Sequence, residues 1–188
     1  MKTTSLVVLT LLVILLLSTL ACGGGGEEEV TPTPIAGYLV HTDEANGFAI
    51  SFPENWGKMQ EHKWESWGVL AQYESDSDCQ LAVPNFSVKN EELSQPMSVE
   101  AWFEELKSNL TAIEGYTPIS EEELTVDDVA AIKHVFAFDV GVAIFNGMQL
   151  YLVAGTTGWT STCQCLSECW SQYGPIFDTI AGSFRLLE

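Results

Sequence analysis

The chain has 188 residues, of which 26 are acidic and 7 are basic, so that its formal net charge at pH 7 is −19. This length predicts one folded domain, because single domains usually run to about 100–200 residues. The charge excludes a general nucleic-acid-binding protein, which needs a basic face against the phosphates, and it argues against docking onto anionic lipid through a polybasic patch.

The first 21 residues have the pattern of a secretory signal peptide. Met1-Lys2 is a short basic start, Leu6–Leu17 is an apolar run broken only by Thr10, and Ala21 stands directly before Cys22. This arrangement resembles the signal of bacterial lipoproteins, which implies cleavage after Ala21 and lipidation of the Cys22 thiol. The alternative is an uncleaved transmembrane anchor, since about 20 apolar residues can span a bilayer.

Residues 22–36 predict a flexible tether. Gly23–Gly26 supplies conformational freedom, the charges of Glu27–Glu29 repel one another, and two prolines favour an extended chain. Several acyl chains on Cys22 would anchor the protein firmly where a single chain would not. We therefore expect a lipid-anchored protein on the extracytoplasmic face of a bacterial cell membrane. The membrane is an expected partner, and nucleic acid is not.

From residue 37 onward the sequence predicts short strands. An Asn46-Gly47 turn signal separates Tyr38–Val40 from Phe48–Phe52, which predicts a hairpin. Pro53 is expected to end the second strand, because proline cannot donate a hydrogen bond to the sheet. Three further strands are predicted at Val69–Tyr73, Leu81–Val83 and Phe86–Val88.

The clearest predicted helix runs from Ser98 to Ile113. Its apolar residues recur at helical spacing and share one face: Val99, Trp102, Phe103, Leu106, Leu110 and Ile113. Ser98 suits the N-cap position, and Gly115 is expected to stop the helix.

The rest of the chain predicts a long hairpin and a helical end. Val126–Phe145 is a run of strand-forming residues, Asn146-Gly147 predicts the turn, and Met148–Ala154 is the expected returning strand. Cys165–Tyr173 and Pro175–Ala181 predict two helical pieces, separated by Gly174. This order of elements predicts an antiparallel sheet covered by helices, which is an α+β fold.

The segment Gly47–Trp56, with the sequence GFAISFPENW, resembles the opening motif of PsbP-like domains. The helix that begins at Ser98, the predicted strand pair around Asn146-Gly147 and the closing segment Ile180–Phe184 follow the order of that family. The resemblance covers nearly all of residues 37–188 and implies an αβα sandwich with a central antiparallel sheet. It also implies binding and assembly rather than catalysis, and it assigns no metal or docking residue in this sequence.

Four cysteines follow Cys22 in the sequence. An even number of cysteines in an exported chain favours disulfides, and the candidates are Cys79, Cys163, Cys165 and Cys169. Cys163 and Cys165 are too close in sequence to pair easily. We therefore expect Cys79 to bond one of the three C-terminal cysteines and the other two to pair locally. The alternative is a metal site in which the same four thiolates bind an ion such as zinc.

The histidines and acidic runs give no strong metal signal. His41, His62 and His134 lack ligand spacing, and His134 alternates with apolar residues, which is typical of a histidine in a sheet or core. Three acidic groups could bind calcium weakly but match no EF-hand loop, so we interpret them as solvated loop charge: Asp76/Asp78, Glu121–Glu123 and Asp127/Asp128. No cofactor is therefore expected.

Trp64 and Trp67 are the candidate partner-binding residues. They lie in a polar segment, where exposed tryptophan often marks a protein interface, although the loop could instead fold back on the domain. The sequence contains neither a Gly-x-Ser-x-Gly nucleophile elbow nor a lysine-bearing phosphate loop, so an enzyme is not expected. We expect a non-catalytic binding or assembly module for an envelope partner. The alternative is a metal- or small-ligand-binding lipoprotein that serves a transporter.

Overall fold

The computed structural model describes residues 34–59, 68–76, 79 and 82–187, which belong to one compact unit, Pro32–Glu188. The predicted signal peptide, Cys22 and most of the tether lie outside these residues. The strands are β1 (Tyr38–Asp43), β2 (Phe48–Pro53), β3 (Gly57–Lys58), β4 (Val69–Glu74), β5 (Asn85–Glu92), β6 (Tyr116–Val126), β7 (Val129–Asp139), β8 (Ile144–Ala154), β9 (Thr157–Leu166) and β10 (Arg185–Leu186). The helices are α1 (Val99–Leu110), a 3-10 turn (Ser167–Cys169) and α2 (Trp170–Gly182). Within the described ranges, no helix has the length and apolar character needed to cross a membrane.

The strands form two antiparallel sheets. The larger sheet has the strand order β3-β4-β5-β9-β8-β7-β6, and the smaller has the order β1-β2-β10. Strands β6 to β9 follow one another as hairpins. By contrast, β5 pairs with β9 and β2 pairs with β10 across long stretches of sequence.

The two helices cover opposite faces of the larger sheet. Ile132 on β7 lies directly opposite Tyr151 on β8, and both contact the apolar side of α1. Leu150 points to the other face, because side chains alternate along a strand, and there it belongs to one cluster with Phe177 and Ile180 of α2. The smaller sheet also packs on this second face. The expected α+β fold, an αβα sandwich with a central antiparallel sheet, is confirmed.

Local sequence signals predicted α1 and the first hairpin correctly. The Ser98 hydroxyl caps α1 by accepting a hydrogen bond from the Ala101 amide at 3.3 Å. Strands β1 and β2 pair around the Asn46-Gly47 turn, and β2 ends at Pro53. Every residue of β2 is buried. The strands β1 and β10 pair with its two edges, and its side chains Phe48, Ile50 and Phe52 belong to the same core cluster as residues of α2.

The predicted turn at Asn146-Gly147 is wrong. Both residues lie inside β8, where Gly147 is opposite Phe136 on β7 and Gln164 on β9. A Cβ atom at Gly147 would lie 2.3 Å from Cζ of the Phe136 ring. Glycine is needed at this position because an aromatic ring lies against the strand, and the chain reverses earlier, between Asp139 and Ile144.

Strand β6 was not predicted, and the run Val126–Phe145 is not a single strand. A two-residue turn at Asp127-Asp128 separates β6 from β7, and both aspartates have positive φ angles, 53° and 61°, as such tight hairpin turns require. The acidic residues Glu121–Glu123 hid the strand signal. They are tolerated in β6 because it is an edge strand whose side chains are mostly exposed.

The C-terminal helical prediction needs two corrections. Strand β9 continues to Leu166, so Cys165 is a strand residue and not the start of a helix. The helix α2 then runs without a break through Gly174 and Pro175. The predicted strand Leu81–Val83 falls partly outside the described residues, and within it Ala82 forms an isolated bridge with Cys79.

Candidate functional site

Helix α1 covers one end of its sheet face and leaves the other end open. Trp102 lies against Gly158, and Phe103 packs on His134, with ring centroids 5.3 Å apart. Beyond His134, the same face continues along β7 to Phe136 and Phe138. These two side chains are only partly buried.

Three aromatic side chains dominate the open end. Phe138 lies opposite Phe145 on β8, and Phe136 lies against the bare backbone of Gly147. A cavity of about 220 Å³ opens between them, and its lining residues carry no charge: Phe136, Phe138, Val140, Phe145, Asn146, Gly147 and Gln164. We call this cavity and the adjoining β7–β8 turn the phenylalanine patch. With no nucleophile or titratable group in its lining, the patch is suited to binding an apolar group.

The β7–β8 turn extends the apolar surface of the patch. Val140 and Val142 are 44% and 89% exposed, so neither side chain is part of the core. The turn is held by hydrogen bonds from the Val140 amide to the Ala143 carbonyl at 3.0 Å and from the Gly141 amide to Asp139 Oδ1 at 2.7 Å. Apolar side chains fixed in an exposed position are typical of an interaction surface.

The sequence analysis missed this patch because it placed Val140–Ile144 inside a strand. A signal was present: Asp139 and Gly141 are turn-forming residues within the apolar run. The Asn146-Gly147 pair gave a stronger but false turn signal next to it.

A buried histidine borders the patch. His134 is 0% exposed, and its Nε2 atom is hydrogen-bonded to the hydroxyl group of Tyr116 on β6. The other ring nitrogen, Nδ1, lies 3.9 Å from Oε1 of Glu121, and the second oxygen of that carboxylate accepts a hydrogen bond from Lys107 at 2.8 Å. The expectation of a histidine in the core or sheet is confirmed.

Burial lowers the pKa of His134 below its ordinary value, because the charged imidazolium loses its water. The Glu121 carboxylate and the backbone of Ser120 oppose this effect, and the Lys107 ammonium adds to it. The pKa of His41 is lowered for the same main reason, and its Nδ1 atom is hydrogen-bonded to the Tyr73 hydroxyl at 3.0 Å. Both imidazoles are therefore neutral in the folded protein at pH 7.

We expect His134 to make folding less favourable in mild acid. As the pH falls below about 6.5, the unfolded chain binds a proton at this residue before the folded chain does, so stability is lost from pH 6.5 down to the lowered folded pKa. The measurement is the free energy of unfolding of the wild type and of His134→Gln at pH 7.5 and pH 5. The wild type should lose more stability than the variant.

This comparison cancels the titration of the many carboxylates, which both proteins share. An NMR titration of the His134 ring in the wild type gives the folded pKa directly, including the case in which the variant does not fold. A ring pKa at or above 6.5 would contradict the prediction.

The cysteines form one disulfide. Cys79 is bonded to Cys169, with Cα atoms 6.3 Å apart, whereas Cys163 and Cys165 are free and buried. The expected second, local bridge is wrong: Cys163 and Cys165 are two residues apart on β9, so their side chains point the same way and cannot meet. Burial raises the pKa of both thiols, that of Cys165 to about 11, which makes them unreactive at neutral pH.

The structure does not gather the four cysteines into one metal site. In the described part of the chain, the cluster that could offer three ligand atoms is Cys79, Glu168 and Cys169, and its two sulfur atoms form the disulfide. A thiolate site there would require reduction of that bond. Cys163 and Cys165 are not part of the cluster.

Four of the acidic candidates within the described residues have structural partners. Glu121 and Glu122 form salt bridges with Lys107 and Lys133, each at 2.8 Å. Asp127 and Asp128 form the β6–β7 turn, and Asp127 also accepts a hydrogen bond from the Leu186 amide at 3.1 Å. Asp76 accepts a hydrogen bond from the Asn55 amide group at 2.7 Å.

Some candidate residues cannot be placed. Trp64, Trp67, His62 and Asp78 lie outside the described residues, so the partner-binding prediction for the two tryptophans stays a prediction. Trp56, from the family-like motif, is in the core and is 5% exposed.

No known family profile matches the sequence, and no curated protein matches it. The fold is nevertheless shared with solved structures. Cyanobacterial PsbP (CyanoP) from Synechocystis has a TM-score of 0.61 and 19% identity, and the match covers 88% of this chain and 97% of that one. LpqN, involved in cell envelope biogenesis of Mycobacterium tuberculosis, has a TM-score of 0.64 and 10% identity, with 80% and 92% covered. These similarities establish the fold.

Proposed function

We propose that this chain, which has a PsbP-like fold, is a lipid-anchored lipoprotein on the extracytoplasmic face of a bacterial cell membrane. Its folded unit binds a protein of the cell envelope and catalyses no reaction. The lipoprotein-like signal with Cys22 supports the anchor, and the tether supports a domain that works at a distance from the membrane. The similarity of fold to LpqN, an envelope-biogenesis protein, fits this location.

The observation that carries the binding function is the phenylalanine patch. Single exposed apolar side chains are common on soluble domains, but a contiguous apolar patch often marks an interaction site. Here three partly exposed phenylalanines surround an uncharged cavity, and a hydrogen-bonded turn presents Val142 beside it. Aromatic side chains around a preformed cavity are suited to hold an anchor residue of a partner.

Site-specific photocross-linking in living cells tests this function. We expect a photoreactive residue at Val142 to give a discrete adduct of higher mass, because that side chain is 89% exposed at the rim of the patch. Leu39 is the matched control, since it is 49% exposed on β1, in the other sheet. Adducts at neither position, or equally at both, would contradict a docking role for the patch.

The same cells also test whether the protein is anchored by a lipid on Cys22. The adduct should fractionate with membranes in the wild type, and Cys22→Ser should abolish the mass increase that lipidation gives. An unchanged mass in the variant would contradict lipidation at Cys22.

One observation favours the alternative of a small-ligand-binding lipoprotein that serves a transporter. The cavity of about 220 Å³ is large enough for a compact apolar molecule, since cavities of about 150 Å³ bind benzene. Native mass spectrometry of the purified protein distinguishes the two functions. A stoichiometric small-molecule adduct together with no cross-link at Val142 would favour the ligand-binding function.

A further inference from the structure

We propose that the phenylalanine patch takes a polypeptide segment that carries an aromatic or branched aliphatic anchor next to lysine or arginine. This inference rests on the proposed binding function and specifies the chemistry of the partner. It follows from three properties of the patch and its edges: an apolar cavity, carboxylates around it, and no basic side chain in its lining.

The cavity selects for an apolar anchor. Phe136, Phe138 and Phe145 supply aromatic walls, and the lack of a side chain at Gly147 lets the Phe136 ring lie against the strand. A phenyl, indole or leucine side chain would remove these partly exposed surfaces from water. The faces of aromatic rings also attract ammonium and guanidinium groups, so a cation beside the anchor is favoured here.

Carboxylates lie at two edges of the patch. Glu74 is on the same row of the sheet as Gly147, because Glu74 pairs with Asn85, Asn85 with Gln164, and Gln164 with Gly147. At the other edge, the Asp139 carboxylate lies in the β7–β8 turn, where its Oδ1 atom accepts a hydrogen bond from the Gly141 amide at 2.7 Å. The Asp139 amide donates to the carbonyl of Gly115 at 2.9 Å, which brings the exposed residue Glu114 close to this turn.

The basic side chains of the described residues do not neutralise these edges. Lys107 is bound to Glu104 and Glu121, Lys133 to Glu122 and Asp178, and Arg185 to Asp127. Lys58 pairs with Tyr73, the neighbour of Glu74, so its side chain points to the other face of the sheet. Lys89 pairs with Val69 and Thr160, towards the end of the sheet face that α1 covers. Lys133 also contacts α2, on the opposite face of the sheet from the patch. A cationic segment is therefore attracted to the patch.

The same charges disfavour other occupants. A second copy of the chain would bring another formal charge of −19 to the surface, and an anionic membrane would be repelled as well. An acidic peptide would meet Glu74, Glu114 and Asp139 without a compensating cation.

A displayed library of random twelve-residue peptides tests the inference. The target is the full chain in phosphatidylcholine nanodiscs, with counter-selection on Val140→Ser/Val142→Ser, two exposed positions whose change leaves the core intact. We expect enriched peptides to pair Phe, Trp, Leu or Ile with neighbouring Lys or Arg. A selected peptide should bind at least tenfold more weakly at 300 mM than at 50 mM NaCl, because salt screens exposed charges.

A matched pair of charge variants isolates the carboxylates. Glu74→Gln/Glu114→Gln/Asp139→Asn should weaken binding of the selected peptide at least tenfold at 50 mM NaCl. Glu44→Gln/Glu54→Gln/Asp128→Asn removes the same net charge away from the patch and should change binding less than threefold.

Enrichment of acidic or uncharged peptides, equal effects of the two charge variants, or no enrichment at all would overturn the inference. The proposed function is judged separately by the cross-link at Val142. A discrete adduct there together with acidic or uncharged selected peptides would leave the binding function in place and refute only the cationic partner.

Discussion

Replacing both Cys79 and Cys169 with serine is expected to lower the free energy of unfolding by about 4 kcal/mol. The bond joins residues 90 positions apart, so it closes a long loop in the unfolded chain and removes much of that chain's conformational freedom. In the folded protein it ties the segment before β5 to the turn that leads into α2. Urea unfolding of the wild type and the double variant measures the loss.

Reduction provides the control for this prediction. Dithiothreitol should lower the stability of the wild type to that of the double variant and leave the variant unchanged. The oxidised wild type should be two hydrogens lighter than the reduced chain, and Cys163 and Cys165 should react with an alkylating agent only after denaturation. A loss of four hydrogens would mean a second disulfide and would contradict the structure.

Trp102→Ala is expected to lower the free energy of unfolding by about 4 kcal/mol. The side chain is 3% exposed, its ring centroid lies 5.7 Å from that of Tyr151, and its indole N–H donates to Glu91 Oε1 at 2.8 Å. The substitution therefore leaves a cavity between α1 and the sheet and an unpaired acceptor at its edge. Thermal and urea unfolding of the variant measure the effect.

Gly158 provides a double-mutant cycle for the same contact. A Cβ atom there would lie 2.7 Å from the Trp102 ring, so Gly158→Ala should cost about 2 kcal/mol in the wild type. In the Trp102→Ala background the added methyl group finds space, and the cost should be near zero. Gly57→Ala is the control, since a Cβ atom at Gly57 meets nothing within 4 Å. Additive effects at positions 102 and 158 would rule out the contact.

The elements that the sequence predicted correctly are those specified by neighbouring residues. Helix α1 has its apolar face and its N-cap within one short stretch; it ends at Leu110 with Thr111 as the C-cap, so Gly115 does not stop it as expected. The first hairpin likewise has its turn signal and both strands together. These signals require no knowledge of distant residues.

The failures occurred where a residue's role depends on a distant partner. Gly147 carries the signal of a turn, yet it is a glycine because Phe136 lies against it from the neighbouring strand. The acidic strand β6 forms because β7 pairs with it and Lys107 and Lys133 neutralise two of its glutamates. Neither fact can be obtained from local spacing.

The candidate site could be predicted only in part. Pairing of Cys79 with a C-terminal cysteine followed from the even cysteine count, but the choice of Cys169 depends on where β9 ends. The phenylalanine patch requires the β7–β8 register, which the false turn at Asn146-Gly147 concealed. The resemblance to PsbP-like domains implied a binding protein, and the sheet pairing brought the residues of the candidate surface together.

The strand order of the larger sheet has a consequence for the rate of folding. Strands β6 to β9 are joined by three short turns, so pairing each strand with the next carries only a small entropic cost of loop closure. Addition of β5 to β9 must instead enclose α1 and the whole β6–β8 meander, and β10 reaches β2 only after nearly all of the described chain is in place. We therefore expect strands β6 to β9, which carry the phenylalanine patch, to pair early in folding. The burial of β2 should then limit the folding rate.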